Sequence, residues 1–62
     1  MKIGSLVRVR AHEKYLSGKM GIILDTVELR NGFSMYEILI EGEAEWFDDI
    51  DLEAILDQAQ SF

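Results

Sequence analysis

The stretch NGFSMYEILIEGEAEWFD, residues 31–48, decides the fold. It opens with Asn31-Gly32, a strong signal for a β-hairpin turn because both residue types tolerate a positive φ. Residues 34–41 then alternate at the period of two that marks a half-buried strand. One face carries Tyr36, Ile38 and Ile40, and the other carries Met35, Glu37, Leu39 and Glu41. A turn at Gly42-Glu43 and a short strand over residues 44–47 complete a predicted hairpin.

The segment before this hairpin predicts two more strands. Residues 6–11 alternate, with Val7, Val9 and Ala11 on the inward side. Residues 20–27 are β-branched and apolar, which is typical of a central, strongly bent strand. Gly21 marks a position where a side chain would clash or a bulge is needed.

The segment after the hairpin predicts a helical turn and a last strand. Residues 48–51 suit a single helical turn, and residues 52–55 return to the sheet. Leu52, Ile55, Leu56 and Ala59 also lie at helical spacing, so the tail is expected to be frayed or weakly helical. About five short antiparallel strands separated by turns predict an all-β fold closed into a small barrel. We expect the barrel over residues 1–56 and a C-terminal tail over residues 57–62.

The length of the chain allows one small domain. Its 62 residues include no cysteine, which excludes disulfides and thiolate metal sites. A domain of this size buries only about 60% of the surface that its unfolded chain exposes. Without a disulfide or a metal, such a core rarely supplies more than about 3–5 kcal/mol of stability.

Four segments, in this order, resemble a known family. GSLVRV, SGKMGIIL, MYEILI and GEAEWFDDIDLE, which together cover roughly residues 4–55, are similar to the KOW-like, SH3-type barrels. The likeness is greatest to short proteins of this pattern encoded by tailed phages. VRVR and the following Glu13-x-Tyr15 give a more distant likeness to SH3-like barrel subunits of photosynthetic complexes. The resemblance implies an SH3-like barrel with Gly21 at the bend and Leu52 closing the core. The other implied core residues are Val7, Val9, Ile22, Leu24, Tyr36, Ile38 and Ile40. Because this fold hosts RNA binders, peptide binders and structural subunits, the resemblance does not select a function.

Charge is distributed unevenly along the chain. Six Lys and Arg against twelve Asp and Glu give a formal net charge of −6. Residues 1–31 hold all six basic residues and three acids, a net of +3, whereas residues 32–62 hold nine acids and no base, a net of −9. Nucleic-acid binding depends on Lys and Arg that neutralise phosphates, so the overall sign argues against it. Negative charge fits solubility or a basic partner.

The reactive side chains do not indicate an enzyme. Nucleophilic catalysis needs a base beside a nucleophile, and His12, the single histidine, lies at the end of a predicted strand. Gly18 and Gly21 are too close together for a phosphate loop. The acidic run of Asp48, Asp49, Asp51 and Glu53 lacks the glycine and the ligand spacing of a calcium-binding loop. We therefore expect no catalytic residue, no metal and no cofactor.

A protein-binding surface is the leading hypothesis. Trp46 and Phe47 are adjacent on a strand and face opposite sides, so at least one ring lies near the surface or under a loop. Aromatic side chains so placed are frequent interface anchors. The predicted partner-binding residues are Trp46, Phe47, Glu43, Glu45, Asp48, Asp49, Tyr15 and Leu39. We predict a non-catalytic accessory or virion-associated phage protein whose acidic, aromatic surface engages a basic host protein or phage subunit.

Two alternatives stay open. A KOW-like nucleic-acid-binding domain would use the basic N-terminal half, with Tyr15 stacking on a base. Its predicted residues are Arg8, Arg10, Lys14, Lys19 and Tyr15. In the other alternative, the acidic half imitates a phosphate backbone and inhibits a host protein that binds nucleic acid.

The predicted cellular location depends on two kinds of segment, signal peptides and membrane spans. The residues after Met1 do not form the long apolar run of a signal peptide. No stretch approaches the length that crosses a bilayer, so no membrane partner is expected. We predict a cytoplasmic protein. If a phage encodes it, the predicted location is the cytoplasm of the host cell, with the virion as the alternative.

Overall fold

Five antiparallel strands form a single sheet in the computed structural model, which describes residues 1–10 and 16–55. The strands are β1 (Leu6–Val9), β2 (Met20–Glu28), β3 (Ser34–Ile40), β4 (Glu43–Asp48) and β5 (Leu52–Ala54). A 3-10 helix, η1 (Asp49–Asp51), lies between β4 and β5. The predicted all-β fold, with five antiparallel strands and a helical turn before the last strand, is confirmed.

The sheet is open, so the predicted closure into a barrel is wrong. The strand order is β4-β3-β2-β1-β5, which places β4 and β5 at opposite edges. Among the described residues, β4 pairs only with β3, and β5 pairs only with β1. The physical reason lies in the last strand. β5 is three residues long and follows β4 after a single helical turn, so it forms one short ladder and does not reach a second.

One face of the sheet, here called the inner face, holds the core. The buried apolar side chains are Val7, Val9, Ile23, Tyr36, Ile38, Ile40, Phe47 and Leu52, with Leu16 packed against them. Two implied core residues are wrong, because Ile22 is 44% exposed and Leu24 is 41% exposed. In β2 the inward positions are Gly21 and Ile23, so the alternation of the strand turns Ile22 away from the core. Leu24 lies between Ile23 and Asp25, where the register with β3 shifts, and its side chain is exposed there. Ala11, also predicted to face inward, lies outside the described residues.

Gly21 lets β2 approach β3 closely. A Cβ atom at this position would lie 2.5 Å from Cγ2 of Ile38 and 2.5 Å from the carbonyl oxygen of Leu39, closer than real Cβ atoms approach other atoms. The prediction that a side chain would clash here is confirmed. The β-bulge lies further along, between Ile23 and Asp25, where the register with β3 shifts. Bulges bend a strand and increase its twist, and every residue of β2 beyond Ile23 is exposed.

The turn between β2 and β3 lies where Asn31-Gly32 predicts it. The N–H of Gly32 donates to the carbonyl of Leu29 at 3.1 Å, and the N–H of Leu29 donates to the carbonyl of Phe33 at 2.7 Å. The side-chain oxygen of Asn31 accepts from the N–H of Phe33 at 3.1 Å. Gly32 has a φ of 89°, a conformation that costs glycine little because it has no Cβ.

The turn between β3 and β4 fixes the register of the edge strand. It consists of Glu41 and Gly42, one residue earlier than predicted, and is closed by the pair Ile40 and Glu43. Both turn residues have a positive φ, 51° and 85°. A two-residue hairpin loop with this backbone matches the twist of the strands that it joins. Which side chains of β4 face the core is therefore set at this turn.

Candidate protein-binding face

The face of the sheet opposite the core, here called the outer face, carries an apolar row across four strands. Residues paired across strands share a face of the sheet. Leu6 pairs with Ile22, Ile22 with Leu39, and Leu39 with Ala44. Leu6 is 39% exposed, Ile22 is 44% exposed and Leu39 is 39% exposed. Ala44 is exposed as well. Single exposed apolar residues are ordinary, but a contiguous row is typical of an interaction surface.

Trp46 and Met20 extend this row along two strands. Trp46 lies two residues after Ala44 on β4, and Met20 lies two residues before Ile22 on β2, so both side chains share the outer face. Trp46 is 44% exposed and Met20 is 51% exposed. We call the whole set the outer patch. It consists of Leu6, Met20, Ile22, Leu39, Ala44 and Trp46.

Carboxylates border the outer patch on the side nearest the β2–β3 turn. Glu37 pairs with Trp46, and Asp25 pairs with Glu37, so both share the outer face with the indole. Asp48 follows on the same face of β4, opposite Met35. Glu37 and Asp48 belong to residues 31–48, a segment that contains no Lys or Arg. The patch therefore joins an exposed apolar surface to a border of negative charge.

The predicted partner-binding residues divide between the two faces. The outer-face group is Trp46, Leu39 and Asp48. The group paired with core residues, on the inner side of β4, is Glu43, Glu45 and Phe47. Phe47 is 6% exposed and belongs to the core, so it is not part of the exposed surface. Trp46 is the ring at the surface, as the prediction of opposite sides requires. Asp49 is half-buried in η1, and Tyr15 lies outside the described residues.

The carboxylates on the inner side of β4 line a recess of about 440 Å³. Its lining residues are Leu16, Lys19, Ile40, Glu41, Glu43 and Glu45. Nζ of Lys19 lies 2.9 Å from Oε2 of Glu41, so one cation faces three carboxylates in this lining. The inner side of the edge strand is therefore strongly acidic at its first half.

A second recess, of about 270 Å³, lies where the β2–β3 turn meets η1. It is lined by Leu29, Asn31, Phe33, Asp48, Asp49 and Ile50. Phe33 is 56% exposed and Ile50 is 65% exposed. Asp48 and Asp49 thus border apolar side chains at the end of the sheet away from the apolar row.

The described residues of the predicted nucleic-acid set all have carboxylate partners. Nη1 of Arg8 lies 3.5 Å from Oε2 of Glu53, and Nη1 of Arg10 lies 3.8 Å from Oε1 of the same carboxylate. Lys19 pairs with Glu41. These pairs reduce the positive potential that a phosphate would meet. Lys14 and Tyr15, the other two members, lie in the part of the chain that is not described.

Sequence reasoning missed three members of the outer patch. Ile22 was assigned to the core, and Met20 and Ala44 were not assigned to a surface. Gly21 could have revealed which residues of β2 face the core. Where a glycine is needed to avoid a clash, the direction that a side chain would take is toward a neighbouring strand or the core. An inward Gly21 makes Ile23 inward and Ile22 outward.

Neither a metal centre nor a membrane segment is found in the described part of the chain. Within residues 1–10 and 16–55, no group of three or more His, Asp or Glu side chains is placed to hold a metal ion. The same residues contain no helix that is long and apolar enough to span a bilayer. Comparison with known proteins gives no significant match, whether to a family model, a curated protein or a solved structure.

Proposed function

We propose that this protein is a non-catalytic binding module that recognises another protein through the outer patch. The observation that carries the proposal is the apolar row across four strands, with Trp46 beside it. The inner face already supplies the core, so the outer row is not needed to form one. Exposed apolar patches with polar borders mark interaction sites, and Trp is enriched among the residues that dominate binding energy.

The charge of the surface supports a basic partner. Residues 32–62 carry nine acids and no base, and Glu37, Asp25 and Asp48 lie on the outer face beside the patch. Complementary charge raises the association rate and excludes wrong partners more than it raises affinity. Association with the partner should therefore slow as salt is added, because exposed charges are screened.

The resemblance of the sequence to KOW-like, SH3-type proteins supports an origin and a place of action. The order of motifs from GSLVRV to GEAEWFDDIDLE resembles the pattern of short proteins encoded by tailed phages. On that basis the module is a phage-encoded accessory or virion-associated protein. It acts in the cytoplasm of the host cell or on the particle, and its partner is a host protein or another phage subunit.

Affinity capture with two matched variants tests the proposal. Trp46→Ser removes the largest side chain of the outer patch, whereas Ile50→Ser removes an exposed apolar side chain outside it. We expect a protein captured from cell lysate by the wild type and by Ile50→Ser to be lost about tenfold or more with Trp46→Ser. Circular dichroism establishes that both variants fold. If every captured protein is retained equally by both variants, the proposal is wrong.

Two further measurements address the alternatives. A gel shift of single-stranded RNA or duplex DNA at low salt, abolished by Arg8→Glu, would replace the proposal with nucleic-acid binding. Capture of nucleic-acid-binding proteins that added DNA or RNA displaces would instead indicate a mimic of the phosphate backbone. The gel shift is not expected, because Arg8, Arg10 and Lys19 already lie beside carboxylates.

A further inference from the structure

The edge of the sheet at β4 offers a backbone template for one more strand. β4 is six residues long and pairs with β3 on one side. Among the described residues, none pairs with its other side. An unpaired edge strand presents a row of N–H and C=O groups to which an extended peptide can add.

The register determines which backbone groups face outward. The two-residue turn at Glu41-Gly42 makes Ile40 and Glu43 a hydrogen-bonded pair, and such pairs alternate along an antiparallel ladder. Glu43, Glu45 and Phe47 therefore direct their N–H and C=O groups to β3. Ala44 and Trp46 direct theirs away from the sheet. No hydrogen bond within the described part of the chain uses these outward groups of Ala44 and Trp46.

We propose that β4 accepts an extended, basic segment of the partner protein as a sixth strand. This inference rests on the proposed function, because the added strand would lie directly beside Trp46. Side chains of the segment on the inner side would meet Glu43 and Glu45, and those on the outer side would meet Ala44 and Trp46. Opposite charges across strands stabilise pairing. The segment that fits alternates Lys or Arg with apolar residues.

The charge of β4 disfavours a second copy of this chain as the occupant. The strand contains three acids, Glu43, Glu45 and Asp48, and no base. Two copies paired edge to edge would bring these carboxylates together, and like charges directly opposite one another destabilise a ladder. The same charges attract a basic segment, so the edge selects a partner of the opposite sign.

Amide hydrogen exchange with a defined peptide tests the strand addition. The probe is a blocked Lys-Val-Lys-Val-Lys-Val-Lys peptide, and the control replaces each lysine with glutamate. With the lysine peptide we expect exchange at the N–H groups of Ala44 and Trp46 to slow by about tenfold or more. The amide of Glu45 already bonds β3 and should change much less. The glutamate peptide should protect neither Ala44 nor Trp46.

Two backbone changes separate strand addition from side-chain contact. Ala44→Pro removes an outward N–H and leaves the bonds to β3, and proline is tolerated at such positions of edge strands. We expect it to weaken binding of the lysine peptide by about fivefold or more, and to weaken it more than Ala44→Ser, which changes the same side chain but keeps the outward N–H group. A lysine peptide N-methylated at alternate residues should bind the wild type as weakly as the unmethylated peptide binds Ala44→Pro. This measurement uses only the wild-type protein, so it does not depend on whether the variant folds.

Several results would overturn strand addition. These are no binding of the lysine peptide, protection confined to amides outside β4, or undiminished binding by both Ala44→Pro and the N-methylated peptide. The proposed function fails by a different result, which is equal capture by the Trp46→Ser and Ile50→Ser variants. The two failures are distinguishable because Trp46→Ser keeps every N–H group of β4.

Discussion

The inner and outer faces of this sheet are both rich in apolar side chains, but they meet different surroundings. Ile38 and Leu39 are neighbours on β3, yet Ile38 is 0% exposed and Leu39 is 39% exposed. Burial removes apolar surface from water and stabilises the fold by about 25 cal/mol per Å². The outer row leaves much of the same kind of surface in water. The difference shows that apolar content alone does not measure the core of this protein.

The largest expected effect tests that difference within one strand. Ile38→Ala should lower the free energy of unfolding by about 2–5 kcal/mol, because it removes carbon atoms from a fully buried position in the core. A core of this size rarely supplies more than about 3–5 kcal/mol, so this variant should be largely unfolded. Leu39→Ala, its matched control, should lose less than about 1 kcal/mol. Urea unfolding followed by circular dichroism measures both, and equal losses would mean that Leu39 is covered in solution.

A smaller loss of stability is expected at Gly21, the glycine whose inward position indicates which residues of β2 face the core. Gly21→Ala places a methyl group 2.5 Å from the carbonyl oxygen of Leu39 and 2.7 Å from Cγ1 of Ile40. We expect a loss of about 1–3 kcal/mol, because β2 and β3 must separate. Met20→Ala, one residue earlier and 51% exposed, should change the free energy of unfolding by less than about 0.5 kcal/mol. An unchanged unfolding midpoint for Gly21→Ala would contradict the close approach of the two strands.

The strands were predictable wherever only one face is apolar. In β3, Tyr36, Ile38 and Ile40 alternate with a face that includes Glu37, so the pattern gave both the strand and its buried side. In β2 both faces are apolar, and alternation alone could not decide between Ile22 and Ile23. The glycine at position 21 carried that information through its need for space, which is a tertiary property.

Closure and the site depend on features that local patterns do not encode. Whether β4 and β5 meet depends on the geometry of the connection through η1, and the sequence predicts only that a helical turn is present. The position of Trp46 on the outer face follows from alternation. Its neighbours Ile22 and Leu6 follow only from the register of strands that are distant in sequence. The predicted partner-binding residues do not share one surface, because Glu43 and Glu45 lie on the opposite side of β4 from Trp46.

The turn at Glu41-Gly42 tests how the faces of β4 are kept apart. A one-residue slip of β4 would exchange Trp46 and Phe47 between the two faces. Gly42 has a φ of 85°, so Gly42→Ala should cost about 1–2 kcal/mol from the strain of a side chain in this conformation. Gly42→Asn should cost less, because asparagine tolerates positive φ. Thermal unfolding measures the difference, which corresponds to about 4–8 °C for each kcal/mol. Equal midpoints for both variants and the wild type would show that the turn does not hold the register.

The smallest expected effect concerns the polar end of the outer face at β1 and β5. Glu53 faces Arg8 across the two strands and lies within 3.5 Å of Arg8 and 3.8 Å of Arg10. All three side chains are more than 40% exposed, so water screens their attraction. Glu53→Gln should therefore cost less than about 1 kcal/mol, and the cost should shrink further in 1 M salt. Arg8→Gln is the matched control, because it removes one of the two contacts and should cost less still. A salt-independent loss of several kcal/mol would mean that this corner of the sheet is shielded from water. In that case the exposed character of the outer face would not extend to β1, and Leu6 would not belong to the binding surface.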